Sequence, residues 1–166
     1  MAVKLVVKKR RPINKKEARF IKEGILAAHS LDMPIKAGKY EIAKIDNFDV
    51  LISKGNIIAL IKDKLVYLTV RGLLTNSVET GWVQVDMGAV PFVCNGANVM
   101  AAGINAVSSE IIKGQYIWIR EENHKKPLGV GKALLNADEM LASNQGKAVK
   151  ALHYIGDKIW EYGVKD

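Results

Sequence analysis

The sequence is poor in the residues that would give it chemistry of its own. A single cysteine, Cys94, stands among 166 residues. That excludes an internal disulfide and any multi-thiolate zinc site, and it fits a reducing cytoplasm. The three histidines, His29, His124 and His153, lie far apart and lack the i, i+4 spacing of a helical metal pair. No metal site and no cofactor are expected. Aromatic residues make up 7% of the chain and few stand beside its bases, so a stacking platform for single-stranded nucleic acid is not evident. Long apolar runs are missing too. Val3–Val7 is too short for the apolar region of a signal peptide, and Lys8-Lys9-Arg10-Arg11 follows it directly. Residues 87–109 carry no charge and are long enough to span a bilayer, but Gly88, Pro91, Gly96 and Gly103 interrupt them. That block reads as folded interior.

What the chain has in excess is positive charge. It carries 25 Lys and Arg against 17 Asp and Glu, a formal +8. Eleven of the bases but only three of the acids fall in residues 1–40, whereas residues 41–166 hold fourteen of each. The whole excess therefore sits in the first quarter. A concentrated basic segment on a neutral body attracts polyanions, with RNA, DNA and an anionic membrane surface as the candidates. A solvated face that keeps the protein soluble is the alternative.

With 49% apolar and 25% charged residues the chain has the balance of a folded, soluble protein, and its segments read as α+β. Val3–Val7 reads as a strand that Pro12 ends. Asn14 with Glu17 is a capping box, and the helix it opens, about 15–28, places Phe20, Ile21 and Ile25 on one face. Tyr40–Ile45, Phe48–Ser53, Ile57–Lys62 and Leu65–Val70 read as strands, with Lys54-Gly55-Asn56 and Asp63-Lys64 as hairpin turns. The pattern lapses over Arg71–Gly81, which sets a boundary between domains 1–78 and 79–166. No Pro- or Ser-rich linker separates them, so close packing is expected. Trp82–Val85, Asn98–Ile104, Tyr116–Glu121, Leu128–Leu135, Val149–Ile155 and Lys158–Tyr162 read as strands. A helical turn near Met87–Cys94 and a helix capped by Asn136 and Glu139 complete a small mixed barrel.

No motif points to a reaction. Gly129-Val130-Gly131-Lys132 lacks the spacing of a phosphate loop and reads as glycines that let a strand coil around a barrel corner. Neither Cys94 nor Ser108-Ser109-Glu110 carries a nucleophile signature. The row Lys8, Lys9, Arg10, Arg11, Lys15 and Arg19, with Lys16 and Lys22, suits phosphate-backbone binding, where affinity comes from counterion release. In the uncharged block, glycines let a second backbone approach and expose N–H groups that can receive phosphate oxygens; tight packing without a ligand is the other reading.

The string Val85-Asp86-Met87-Gly88-Ala89-Val90, then Phe92-Val93, Asn95-Gly96-Ala97-Asn98-Val99-Met100 and Gly103-Ile104, strongly resembles the opening of a PUA domain, an RNA-binding module. Lys132–Glu139 and His153–Trp160 resemble its later strands and second helix, so the likeness covers about 82–163. Alanine at 102 replaces the proline usual in this pattern. A small pre-PUA domain before a PUA domain resembles the stand-alone archaeal PUA proteins, relatives of the malignant T-cell amplified sequence protein and of the N-terminal part of ligatin. The resemblance implies a PUA pseudo-β-barrel behind an α+β pre-PUA domain, and a non-enzymatic protein that binds structured RNA (tRNA or rRNA) in translation. Contact with the small ribosomal subunit and a translation-factor protein partner are further implications. Carried onto this chain, the RNA-contacting surface is Gly88, Ala89, Phe92, Gly96, Ala97, Val99 and Gly103, with Phe92 and Val99 equally readable as core. Lys147, Lys150 and Lys158 are expected to supply cations beside it. Two alternatives remain: an adaptor that binds a protein through the apolar Ile57–Val70 hairpin, and an enzyme that modifies RNA.

Overall fold

The computed structural model describes residues 4–163. The chain divides into two compact units, one running to Val78 and resuming at Lys158, the other spanning Glu79–Asp157.

In the first unit, β1 (Lys8–Pro12), β2 (Glu41–Ile45), β3 (Phe48–Ser53), β4 (Asn56–Lys62) and β5 (Leu65–Leu68) form an antiparallel meander in sequence order. Helix α1 (Lys15–His29) follows β1, with the Asn14–Glu17 capping box formed in both directions. Its buried stripe is Ala18, Ile21, Ile25 and His29, and it packs against β5. The approach is close enough that a Cβ at Gly24 would sit 2.6 Å from Val66 Cγ2. Phe20, expected on that stripe, is exposed instead. The steps of three and four that place Ile21 and Ile25 on the sheet turn residue 20 away from it.

The first strand also differs from expectation. Val3 lies outside the described residues, 4–7 have no regular structure, and the strand is the basic run Lys8–Pro12 itself. All five residues are exposed, and a bulge at Lys9-Arg10 puts Lys9 at φ 55°. Charge, proline and a bulge on an edge strand keep it from pairing with another chain. The stretch read as Leu65–Val70 ends at Leu68. Thr69 then caps α2 (Val70–Leu74), its side chain accepting from Gly72 N at 3.3 Å. A Cβ at Gly72 would collide with the Ile58 carbonyl, which fixes α2 against β4. Ile57–Ile61 is buried throughout, as a strand covered on both faces must be. Only Leu65 of the hairpin is an exposed large apolar residue, so that hairpin presents no apolar docking surface.

The second unit is a six-stranded, nearly closed sheet. Its strands are β6 (Trp82–Val85), β7 (Val99–Met100), β8 (Ile104–Val107), β9 (Tyr116–Glu121), β10 (Pro127–Ala133) and β11 (Lys147–Tyr154), in the order β7-β11-β10-β9-β6-β8. All neighbours are antiparallel except β6 with β9. Two helices accompany it, α3 (Val90–Val93) and α4 (Ala137–Ala142). Val83, Val85, Ile117, Ile119, Met140 and Val149 centre the core. Asn98–Ile104 is not one strand: a 3-10 turn at Ala101–Gly103 divides it, so β7 and β8 lie at opposite edges of the sheet. Gly129 and Gly131 lie buried within β10, where a Cβ would meet the carbonyls of His153 at 2.7 Å and Lys150 at 2.5 Å. They let β11 pass close over a bulge, which is a packing role.

The last described residues return to the first unit. Lys158–Glu161 forms helix α5, not a strand, and 158 onward groups with residues up to Val78, whereas the sequence reading placed 79–166 together. The reason lies in contacts with residues far away in sequence. Arg71 stacks 3.8 Å from the Trp160 ring centroid and donates from Nε to the Trp160 carbonyl at 3.0 Å, and Arg10 Nη1 donates to the Tyr162 hydroxyl at 2.9 Å. No helix among the described residues is long and apolar enough to cross a membrane.

Candidate nucleic-acid interface

The uncharged block of the second unit is held rigidly by its own backbone. Asp86 N donates to the Gly103 carbonyl at 3.0 Å, and Asp86 Oδ1 accepts from Ala89 N at 2.9 Å. The loop 86–89 is thereby stapled to the 3-10 turn, where an added Cβ on Gly103 would lie 3.4 Å from Ala89 Cβ. Glu122 fixes the other side, accepting from Met87 N at 2.6 Å and from Asn105 Nδ2 at 3.2 Å. Gly96 has φ +88° and lies under Tyr154, whose ring would be 2.9 Å from a Cβ, so only glycine fits there. Asn98 Oδ1 accepts from Ala151 N at 2.9 Å and so bridges to β11.

This frame sorts the expected contact residues. Phe92 is 67% exposed, Met87 42% and Met100 47%: three large apolar side chains turned to water from a segment without charge. Gly88 and Ala97 are exposed as well, while Ala89, Gly96 and Gly103 are half-buried. Val99 is the exception. At 2% exposure it belongs to the core, and the strand alternation that buries it turns its neighbour Met100 outward. Lys147 lies opposite Met100 in the β7–β11 register, and Lys150 lies opposite Lys132 across β10–β11. All three lysines are exposed. Lys158 belongs to the first unit and is not grouped with Lys147 and Lys150. The sequence reading missed Met100, Lys132, Asn98 and Glu122. Strand alternation from Val99 would have found Met100; Glu122 carries no local signal, because its partners are 17 and 35 residues away.

The basic segment of the first unit is divided by its ion pairs. Arg10 is bidentate on Glu41, with Nε 3.0 Å and Nη2 2.7 Å from the carboxylate. Arg11 grips Glu17 the same way, at 2.8 and 2.7 Å. Hydrogen bonds from these guanidinium groups hold the carboxyls of Glu41 and Glu17 below the usual carboxylate range. Lys22 pairs with Asp32 at 3.4 Å. Lys8, Lys9, Lys15 and Arg19 have no ion pair or hydrogen-bonding side-chain partner among the described residues and are exposed. With Lys16, which is also exposed and unpaired among the described residues, five of the eight expected cations are thus available to an outside anion, while Arg10, Arg11 and Lys22 are already engaged.

Several titratable groups are buried or half-buried. His29 accepts from Leu68 N at 2.9 Å through Nε2, and burial depresses its pKa to about 4, so it is a neutral structural acceptor. Burial pushes the Cys94 thiol upward, away from a reactive thiolate. His153 is buried with Nδ1 2.8 Å from Asp157 Oδ2, an oxygen that also accepts from Tyr154 N at 3.0 Å.

These elements make a small barrel with one parallel strand pair, a stapled glycine loop and a short helix before β7. The PUA domain family model matches residues 81–155. An uncharacterized protein of Methanocaldococcus jannaschii is 40% identical over 158 residues, covering 94% of this chain and 98% of that one. The chain belongs to the PUA domain family. Translation machinery-associated protein 20 of Saccharomyces cerevisiae is 32% identical over 89 residues, 50% of this chain and 49% of that protein. A malignant T-cell-amplified sequence 1 homolog of Drosophila melanogaster is 36% identical over 81 residues, 47% and 44%. The match thus spans about half the length of these two relatives. Among solved structures, a hypothetical protein of Pyrococcus horikoshii superposes with a TM-score of 0.82 at 27% identity, over 94% of this chain and 100% of that one.

Proposed function

We propose that the protein binds structured RNA, tRNA or rRNA, in a translation-related role in the cytoplasm, and performs no chemistry on it. The observation that carries this reading is the outward turn of Met87, Phe92 and Met100 from a charge-free, backbone-stapled block, with Lys147 opposite Met100. Such a surface gives flat apolar contact to unstacked bases or a helical end, and the lysines hold the adjoining phosphates. In the first unit, Lys8, Lys9, Lys15 and Arg19 add sequence-independent attraction. Contact with the small ribosomal subunit and with a translation-factor protein is part of the same reading, supported by the likeness to a yeast protein named for its association with the translation machinery.

Fluorescence anisotropy of labelled tRNA and of small-subunit rRNA fragments tests it. Phe92→Ser with Lys147→Glu is expected to weaken binding roughly tenfold to a hundredfold, since one stacked aromatic contributes about 1–3 kcal/mol. Failure of the unaltered chain to bind any of these RNAs, even at low salt, ends the proposal.

A further inference from the structure

A second basic site lies within the first unit and owes little to the glycine block. The Lys54-Gly55 turn, Asn56 at the start of β4, Arg71 on α2, and Arg10, Tyr162 and Gly163 line a cavity of about 750 Å3. Three of these residues are cations and none is a carboxylate.

Their donors are arranged rather than scattered. Arg71 is fixed by its stack on Trp160 and by the bond from Nε to the Trp160 carbonyl. Both Nη atoms are left without a hydrogen-bond partner among the described residues. Lys54 has no partner there either. It sits at φ 51° in a two-residue turn with Gly55 at φ 84°, a conformation that lysine adopts at a cost and asparagine more readily. The Tyr162 hydroxyl accepts from Arg10 Nη1, which leaves its own proton to donate. Arg10 is half-neutralised by Glu41 and serves mainly to aim that phenol. The tail itself is pressed in closely: a Cβ at Gly163 would collide with the Gly55 carbonyl. The forked guanidinium, an ammonium and a phenol around one opening match the oxygens of a phosphate. The volume exceeds what a bare ion fills and lies in the range of small-molecule sites.

We propose that the pocket formed by Lys54, Asn56, Arg71 and Tyr162 is a phosphate site that holds the phosphate and adjoining sugar of a nucleotide. The nucleotide is either free or part of an RNA strand; only the second case rests on the RNA-binding reading above.

The test is a heteronuclear NMR titration of the full chain with inorganic phosphate, with AMP, and with a short oligoribonucleotide carrying or lacking a 5′-phosphate. The expected result is movement of the Gly55, Asn56, Tyr162 and Gly163 amides. Lys54→Asn removes the ammonium and keeps the turn, and it is expected to weaken binding about tenfold. Arg71→Lys keeps the charge without the fork and is expected to do the same. Response to AMP and only to the phosphorylated oligomer supports a terminal-phosphate site; response to both oligomers supports an internal phosphate of a strand. Silence of all four amides toward every probe overturns the proposal, as does a Lys54→Asn chain that binds as tightly as its parent. Binding of tRNA with those amides silent removes this site and leaves the proposed function standing. AMP binding by a chain that ignores every RNA does the reverse.

Discussion

The two units carry the chain's two conspicuous features separately, and each has the fold that its feature requires. The first holds the positive excess on an exposed, bulged edge strand and the helix after it, over a meander whose apolar residues are nearly all inside. The second is close to neutral, yet it turns Met87, Phe92 and Met100 to water from a loop tied down at Asp86, Gly103 and Glu122. Charge is cheap to display, because solvent accepts it anywhere on a surface. Exposed apolar side chains are not cheap, and several on one rigid segment mark a surface built for contact. Net charge therefore points to the first unit, and shape and exposure point to the second.

The comparison can be strained at several levels. The largest effects belong to the cores. Met140→Ala in the second unit and Ile25→Ala in the first remove fully buried side chains. Each is expected to cost about 2–5 kcal/mol in denaturant unfolding, and hydrogen exchange should locate each loss in its own unit. Next comes pH. Free His29 takes its proton near 6.5, whereas in the folded chain burial delays that to about 4. The unfolded chain binds more protons between these values, so stability is complete above about pH 6.5 and falls by about 3 kcal/mol as pH drops toward 4. His29→Gln keeps an acceptor for Leu68 N and should flatten that slope; a slope that persists assigns it elsewhere.

Smaller still is the division of the basic row. Lys8→Glu with Lys9→Glu is expected to reduce RNA affinity roughly tenfold, equally for all RNAs, and to lower the salt dependence by about two counterions. Phe92→Ser should change the ranking among RNAs and leave that salt slope alone. Equal behaviour of the two variants would erase the distinction between the units. The smallest effect is expected at the exposed Arg11–Glu17 pair. Arg11→Met should leave the denaturant midpoint and the RNA affinity almost unchanged, because the pair is exposed and Glu17 already occupies the guanidinium.

Much of the fold was legible along the chain, for reasons that are local. The Asn14–Glu17 capping box, the hairpin turns at Lys54-Gly55 and Asp63-Lys64, and the strands Tyr116–Glu121 and Phe48–Ser53 each depend on residues a few positions apart. The failures share the opposite property. Lys158–Tyr162 has a strand-like composition, but its neighbours are Arg71 and Arg10, about 90 and 150 residues earlier, and the segment becomes a helix against them. Ala101–Gly103 interrupts an apolar run because the chain must cross from one sheet edge to the other there. At the candidate interface, the PUA resemblance named Val99, which lies in the core because the β7–β11 pairing sets its direction.

By itself the sequence determined the α+β character, the location of the charge and the family, since composition and spaced motifs are properties of residue order. Tertiary structure decided which of those residues are available. It closed Arg10 and Arg11 on Glu41 and Glu17, left Lys8 and Lys9 open, buried Val99 and exposed Met100. It also brought Tyr162 and Gly163, which follow α5, back to line a pocket with Lys54 and Arg71. Availability depends on which neighbours reach a side chain before solvent does, and those neighbours are chosen by packing across the fold.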